Sequence, residues 1–140
     1  MTTREYLNQF QQCEKIRQNK FEELNYLESL ATGLSSFAYD SERVQTSGAH
    51  DKMADTVVRI VDLQSEIVDV TNECIEKCIE VRKTIDSVKN SVLYNLLFKK
   101  YIEGKSLDTI ADEMGYTYQW IRELHMSAIS EIKKIKGFDS

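Results

Sequence analysis

The sequence predicts an all-α fold: a long helical hairpin or coiled coil, followed by a compact head of shorter helices. Two observations carry that expectation. The 140 residues contain no proline and only 5 glycines, so neither of the residues that break or weaken helix interiors interrupts the chain often. Apolar residues also recur at gaps of three and four along most of the length, the spacing that puts them on one face of a helix. With 41% hydrophobic and 29% charged residues, the composition is that of a chain with a core rather than a disordered one.

The first predicted helix runs from about Thr3 to Leu34. Tyr6, Phe10, Cys13, Leu24, Leu27, Ala31 and Leu34 fall on one stripe, with Ile16 and Phe21 nearby, and Gln, Glu, Lys and Asn fill the other faces. A loop is expected over about 35–50, where Ser, Gly, Asp and Thr cluster and the period is lost. Phe37 and Tyr39 within it are expected to dock on the body of the protein. A long helix is expected from about Asp51 to Lys89. Ile60, Leu63, Ile67, Val70 and Cys74 are spaced 3-4-3-4, and so are Cys78, Val81, Ile85, Val88 and Val92. The step of four from Cys74 to Cys78 reads as a stutter in a heptad pattern. A stripe this narrow needs a partner helix. The first helix folded back covers part of it, and because that helix is shorter, the remainder is expected to hold a second copy of the chain.

Three shorter helices are expected next. Ser91 to Glu103 carries Val92, Leu93, Leu96, Leu97, Tyr101 and Ile102, and Gly104 stands at its C-terminal stop. Ser106 is placed to N-cap Leu107–Met114, and Thr117 to N-cap a last helix reaching about Lys136. Lys133, Lys134 and Lys136 suit the negative end of that helix dipole. The division expected is a helical hairpin over residues 1–89 and a head over residues 90–140.

The head carries the informative pattern. Two helices crossing steeply through a tight turn require a small residue at the crossing, a turn residue that tolerates positive φ, and apolar residues on both facing sides. Leu107 and Ile110 supply the first face, Ala111 the small residue, and Met114 the close of the helix. Gly115 takes the left-handed turn position, Tyr116 is expected to plug the corner, and Ile121 and Leu124 supply the second face. This is a complete helix-turn-helix. In such a module the N-terminal outward residues of the second helix meet base edges in the major groove. Here those are Tyr118, Gln119, Arg122, Glu123 and Met126. Gln suits adenine and Arg suits guanine, each through two hydrogen bonds. Thr117, Ser106, Lys105, Lys99 and Lys100 are expected to reach phosphates.

The stretch from Tyr101 through Gly104-Lys-Ser-Leu-Asp-Thr-Ile-Ala-Asp-Glu-Met-Gly-Tyr-Thr-Tyr-Gln-Trp-Ile-Arg-Glu-Leu to Ile129 resembles the promoter-reading region 4 of bacterial sigma factors. With Ser47-Gly-Ala-His-Asp-Lys-Met-Ala-Asp-Thr-Val, the chain is similar to a family of uncharacterised proteins encoded by phages and integrative elements. Late transcription regulators of the ArpU and RinA types are relatives in style. The resemblance implies double-stranded DNA as a partner, RNA polymerase nearby, and DNA-contacting roles at Thr117, Tyr118, Gln119 and Arg122. Sigma factors usually carry basic residues where this chain has Tyr118 and Trp120. No sigma region 2 is present, so promoter melting is not implied.

Charge qualifies this reading. Residues 1–90 carry 11 Lys and Arg against 16 Asp and Glu, a net of −5, while residues 91–140 carry 7 against 7. The acidity lies in the first part, and the head is neutral rather than basic. Two rival readings follow: a small terminase-like DNA-packaging adaptor, which also joins a helix-turn-helix to a coiled coil, and a polymerase- or sigma-interacting protein that binds no DNA.

The remaining candidates have plainer readings. Cys74 and Cys78, one turn apart, are expected in the core rather than on a metal. His125 is expected to be solvated or packed at the edge of the head, and Trp120 is outward by the pattern. The acidic residues of the first part read as a solvated face. No nucleophile, phosphate loop or metal cluster is visible, so neither an enzyme nor a cofactor is expected. The odd number of cysteines and the absence of a signal-peptide core or membrane-length apolar run lead to a cytoplasmic expectation with no membrane partner. The homodimer is expected to form through the Asp51–Lys89 helix.

Overall fold

The structure, a computed structural model, describes residues 1–40 and 47–137, with side chains for residues 1–33 and 51–137. It is all-α, with helices α1 (Thr3–Leu7), α2 (Gln9–Asp40), α3 (Ser47–Asp86), α4 (Ser91–Leu97), α5 (Leu107–Met114) and α6 (Tyr118–Lys136), and a π-helical turn at Phe98–Ile102 after α4. Among the described residues no helix is long and apolar enough to cross a membrane. The chain forms two compact units, residues 1–14 with 73–140 and residues 15–72.

The larger unit is built at both ends of the chain. Its first helix is started by a capping box: Glu5 N–H donates to Thr2 Oγ1 at 3.1 Å, and Thr2 N–H donates to Glu5 Oε2 at 3.0 Å. The expected continuous first helix is instead two, because Asn8 caps α1 and α2 starts at Gln9. Tyr6 and Leu7 are buried with Val81, Ile85 and Val88, with Leu97 and Tyr101, and with Ala128 and Ile132 of α6. Burying a Leu or Ile side chain contributes about 2 kcal/mol, so a five-residue helix too short to hold itself is held by its neighbours. The Tyr6 hydroxyl is satisfied by Thr84 Oγ1 at 2.8 Å.

A second cluster in this unit joins Leu96, Ile110, Ala111 and Ile121, with Leu107, Met114 and Leu124 packed against it. These are the apolar positions expected of the helix-turn-helix. The turn follows the expected chemistry. Gly115 has φ 73° and caps α5 in the left-handed conformation, and Tyr116 N–H donates back to Ala111 O at 2.9 Å, closing a Schellman motif. Tyr116 itself does not plug the corner: it is 39% exposed, because the turn turns its side chain outward while Met114 and Leu124 fill the inside. Ser106 Oγ accepts from Thr109 N–H, and Thr117 Oγ1 accepts from Trp120 N–H, so both expected N-caps are in place.

The smaller unit is a two-helix ribbon. Leu24 is buried with Leu63 and Ile67, flanked by Leu27 and Ile60. Arg17 Nε donates to Thr71 Oγ1 at 3.0 Å. Arg59 pairs with Glu23 at 2.9 Å and with Glu66 at 3.6 Å.

Several expectations are corrected here. Part of the loop placed over about 35–50 is helix: α2 continues to Asp40 and α3 begins at Ser47. Helical propensity with no proline to stop it outweighs the loss of an apolar stripe there. Residues 41–46, and the docking of Phe37 and Tyr39, lie outside the described residues and side chains. The long helix ends at Asp86 rather than Lys89, where Ser87 and Val88 N–H turn back to Thr84 and Ile85 carbonyls. The stripe expected to stay open for a partner is closed within each unit. Leu63 and Ile67 are buried in the smaller unit, and Val81, Ile85 and Val88 in the larger. Finally, Cys74 does more than fill a seam. It is buried opposite Cys13 and joined to it by a disulfide, with the two Cα atoms 5.5 Å apart. Cys78 is half-buried and free.

Candidate nucleic-acid interface

The outer face of α6 begins at its N-cap, Thr117. The polar and charged positions diverge from the buried ones at helical spacing: Ile121, His125, Ala128 and Ile132 point inward, while Thr117, Tyr118, Gln119, Arg122, Glu123 and Met126 are exposed. Trp120 is outward as well, 47% exposed. The six outward residues from Thr117 to Met126 named from the sequence thus share one open face, starting at the positive end of a 19-residue helix.

The lysines expected on phosphates divide into two groups. Glu113 Oε1 accepts from Lys99 Nζ at 2.7 Å and from Lys105 Nζ at 2.8 Å, and Lys105 also pairs with Glu103 at 2.8 Å. Hydrogen bonds from Lys105 and then Lys99 hold the Glu113 carboxyl below its ordinary range, and bonds to Glu103 and Glu113 raise the Lys105 ammonium. Lys99 and Lys105 are therefore compensated within the head. Lys100 is not: among the described residues it forms no salt bridge, and its ammonium lies 5.6 Å from the centre of the Tyr101 ring. Ser106 is exposed, with its hydroxyl engaged by Thr109.

Beside Arg122 a cleft of about 380 Å³ opens, and Arg4, Asn8 and Lys100 line it together with Arg122. Its floor is a pair of rings. The Tyr101 hydroxyl and His125 Nε2 are hydrogen-bonded at 2.7 Å, and both residues are buried. Burial, then the charges of Lys100 and Arg4, push His125 down to about 4, so the ring is neutral near pH 7. Burial pushes Tyr101 up to about 12, against the opposing influence of Arg4. His125, expected at the edge, is thus an internal member of this wall.

The sequence pattern pointed to Arg122 and Lys100, and it missed Arg4 and Asn8. A lone Arg in the first five residues, far from the head in sequence, carries no signal. Only the packing of Tyr6 and Leu7 under α6 brings it there.

Fold and site define the class: an all-α protein carrying a helix-turn-helix whose second helix presents an open polar face. The chain matches, over residues 33–133, the family described as "Protein of unknown function (DUF1492)", and it belongs to that family. No curated protein and no solved structure matches it.

Proposed function

We propose that this protein is a sequence-specific DNA-binding regulator of transcription from a phage or other mobile element. In this reading its head works as sigma region 4 does, beside RNA polymerase, and it performs no catalysis. The single observation that supports the reading best is the open face of α6, where Gln119 and Arg122 stand one turn apart on the helix that a helix-turn-helix lays in the major groove. The stronger test is selection of bound sites from a random duplex pool, followed by Arg122→Ala. Loss of about 1–3 kcal/mol at one base position is expected. If parent and variant both bind selected and random duplexes alike, sequence reading fails.

The head's neutrality is a net figure over residues 91–140, and its cations are not all engaged alike. Glu103 and Glu113 are engaged by Lys99 and Lys105, whereas Lys100 and Arg122 remain unpaired among the described residues, with the exposed carboxylate of Glu123 next to Arg122. Glu113→Gln should release Lys99, while Lys105 keeps Glu103, and should strengthen binding to random duplex several-fold, more at low salt than at high salt.

A homodimer remains part of the proposal, on a different face of α3 from the one inferred before. Val58, Val61 and Val68 are 60%, 56% and 59% exposed, and with Ser65 between them they recur at 3-4-3 spacing, the spacing a partner helix fills. A second copy is the simplest occupant, since two heads raise affinity through effective concentration. Sedimentation of Val61→Glu/Val68→Glu against the parent tests it: a parent that is already monomeric at micromolar concentration overturns the dimer.

A second reading has its own support. Tyr116, Tyr118, Trp120 and Met126 are exposed by 39%, 46%, 47% and 61%, a concentration of large apolar surface that suits a protein partner. Binding to RNA polymerase that survives Arg122→Ala but is lost in Trp120→Ala would favour a polymerase-binding head without DNA contact.

A further inference from the structure

The cleft beside α6 gathers three cations from three parts of the larger unit. Arg4 comes from α1, Lys100 from the π-helical turn and Arg122 from α6. Among the described residues no carboxylate lines the cleft, and none of the three cations forms a salt bridge. This contrasts with Lys99 and Lys105, a few residues away, which are paired with Glu113. Uncompensated cations held together by a fold repel each other, so their arrangement calls for an anion. The rings of the floor add no charge of their own: His125 is kept neutral by burial and by Lys100 and Arg4. Arg4 and Arg122 bring planar forks that match two oxygens of one phosphate, and Asn8 adds an amide. At about 380 Å³ the space is at the small end of the range for bound groups, roughly 300–1,000 Å³. It is larger than an isolated ion needs and suits a phosphate with the sugar edges that carry it.

We propose that this cleft seats a phosphate ester, in the first instance one backbone phosphate of bound DNA, and that Arg4 thereby makes the first helix of the chain part of the nucleic-acid interface. The proposal rests on the DNA-binding reading for the source of the phosphate, but the site is defined by its own chemistry. Arg4 and Lys100 fix position without reading sequence, whereas Arg122 stands between the cleft and the open face of α6 and joins phosphate binding to base reading.

The experiment uses the full chain and a short duplex of random sequence, titrated across a salt series. Arg4→Ala is expected to bind about tenfold more weakly at low salt, as for one charge-assisted contact. Its plot of log affinity against log salt should be shallower by about 1, with the preference among selected sites unchanged. Arg4→Lys should keep most of the slope, which a purely structural role for Arg4 would not predict, and thermal melting checks that both variants are folded. Parent-like affinity and slope in Arg4→Ala overturn the proposal while leaving DNA binding by α6 intact. If the parent binds no duplex at all, the DNA reading is what fails, and the cleft is then read with inorganic pyrophosphate alone. A shift of the His125 and Tyr101 ring resonances that is lost in Arg4→Ala assigns the seat to the phosphate group of a free ligand rather than of DNA. No shift in the parent overturns the seat itself.

Discussion

Among the described side chains, residues 15–72 bury a single row, whereas the unit formed by residues 1–14 and 73–140 buries clusters fed from several directions. In the ribbon, Leu24 meets Leu63 and Ile67 with Leu27 and Ile60 beside them, and polar contacts, Arg17–Thr71 and Arg59–Glu23, add to the attachment. In the other unit, Tyr101, Leu97, Ile85 and Ile132 are each under 2% exposed and come from three helices and a π-helical turn. Two parallel rods can only share a seam, while helices that cross enclose a volume. The lesson is that the same 3-4 spacing yields a thin core or a thick one depending on how many directions the neighbours come from. The cleft lined by Arg122, Lys100 and Arg4 lies at the thick one, whose shell of crossing helices holds the three in register.

The comparison is sharpest in core truncations. Leu97→Ala should cost about 4 kcal/mol in chemical denaturation, since its neighbours are held from several sides and cannot collapse into the space. Leu63→Ala in the ribbon should cost less, about 2–3 kcal/mol, because two rods can close toward each other. Equal losses would erase the distinction between thick and thin cores.

Cross-linking gives the next effect. The Cys13–Cys74 disulfide closes a loop of sequence separation 61, so reduction should lower stability by about 4 kcal/mol. Melting with and without reductant checks this. Cys13→Ser should abolish the sensitivity, and Cys78→Ser should leave it intact.

Acid provides a third, smaller test. His125 sits at about 4 in the folded state against an ordinary 6.5, so the unfolded chain takes up the proton first as pH falls. Stability is therefore whole above about pH 6.5 and declines through the window down to about pH 4, by up to about 3 kcal/mol for this group. His125→Gln, neutral throughout, should lose less over the same window. An unchanged pH profile would mean that the Tyr101–His125 wall is wetter than its burial implies.

The smallest effect compares two turns of the head. Gly115 has φ 73° and open space where a Cβ would go, so Gly115→Val should cost only the backbone strain, about 1–2 kcal/mol. At Gly104, φ is 74° and a Cβ would meet Gln11 Oε1 at 2.7 Å. Gln11 Nε2 donates to the carbonyls of Tyr101 and Ile102, so Gly104→Ala should also disturb the latch that ends the π-helical turn. Thermal melts that rank Gly115→Val as the more damaging would contradict this.

Some of this was legible in the residues. Ala111, Gly115, Ile121 and the caps Ser106 and Thr117 act within a few residues of themselves, through spacing, φ preference and local hydrogen bonds. Their pattern therefore predicted both the turn and the outward face from Thr117 to Met126. The end of α2 was misread because helix continuation needs no apolar stripe, and the open seam was misread because coverage depends on which helices return to it.

What the sequence determined alone is the all-α class and the order of helices, since helix formation, capping and the left-handed turn are short-range properties. Only tertiary structure decided that Tyr6 and Leu7 pack under α6, that Cys13 meets Cys74, that Lys99 and Lys105 converge on Glu113, and that Arg4 joins Lys100 and Arg122 at one cleft. Each of the two packing contacts, and the placement of Arg4 at the cleft, links positions at least 61 residues apart. The pairing of Glu113 with Lys99 and Lys105 depends on how α5 meets the π-helical turn. Burial and charge pairing act through space, and no local spacing encodes which distant side chain will be the neighbour.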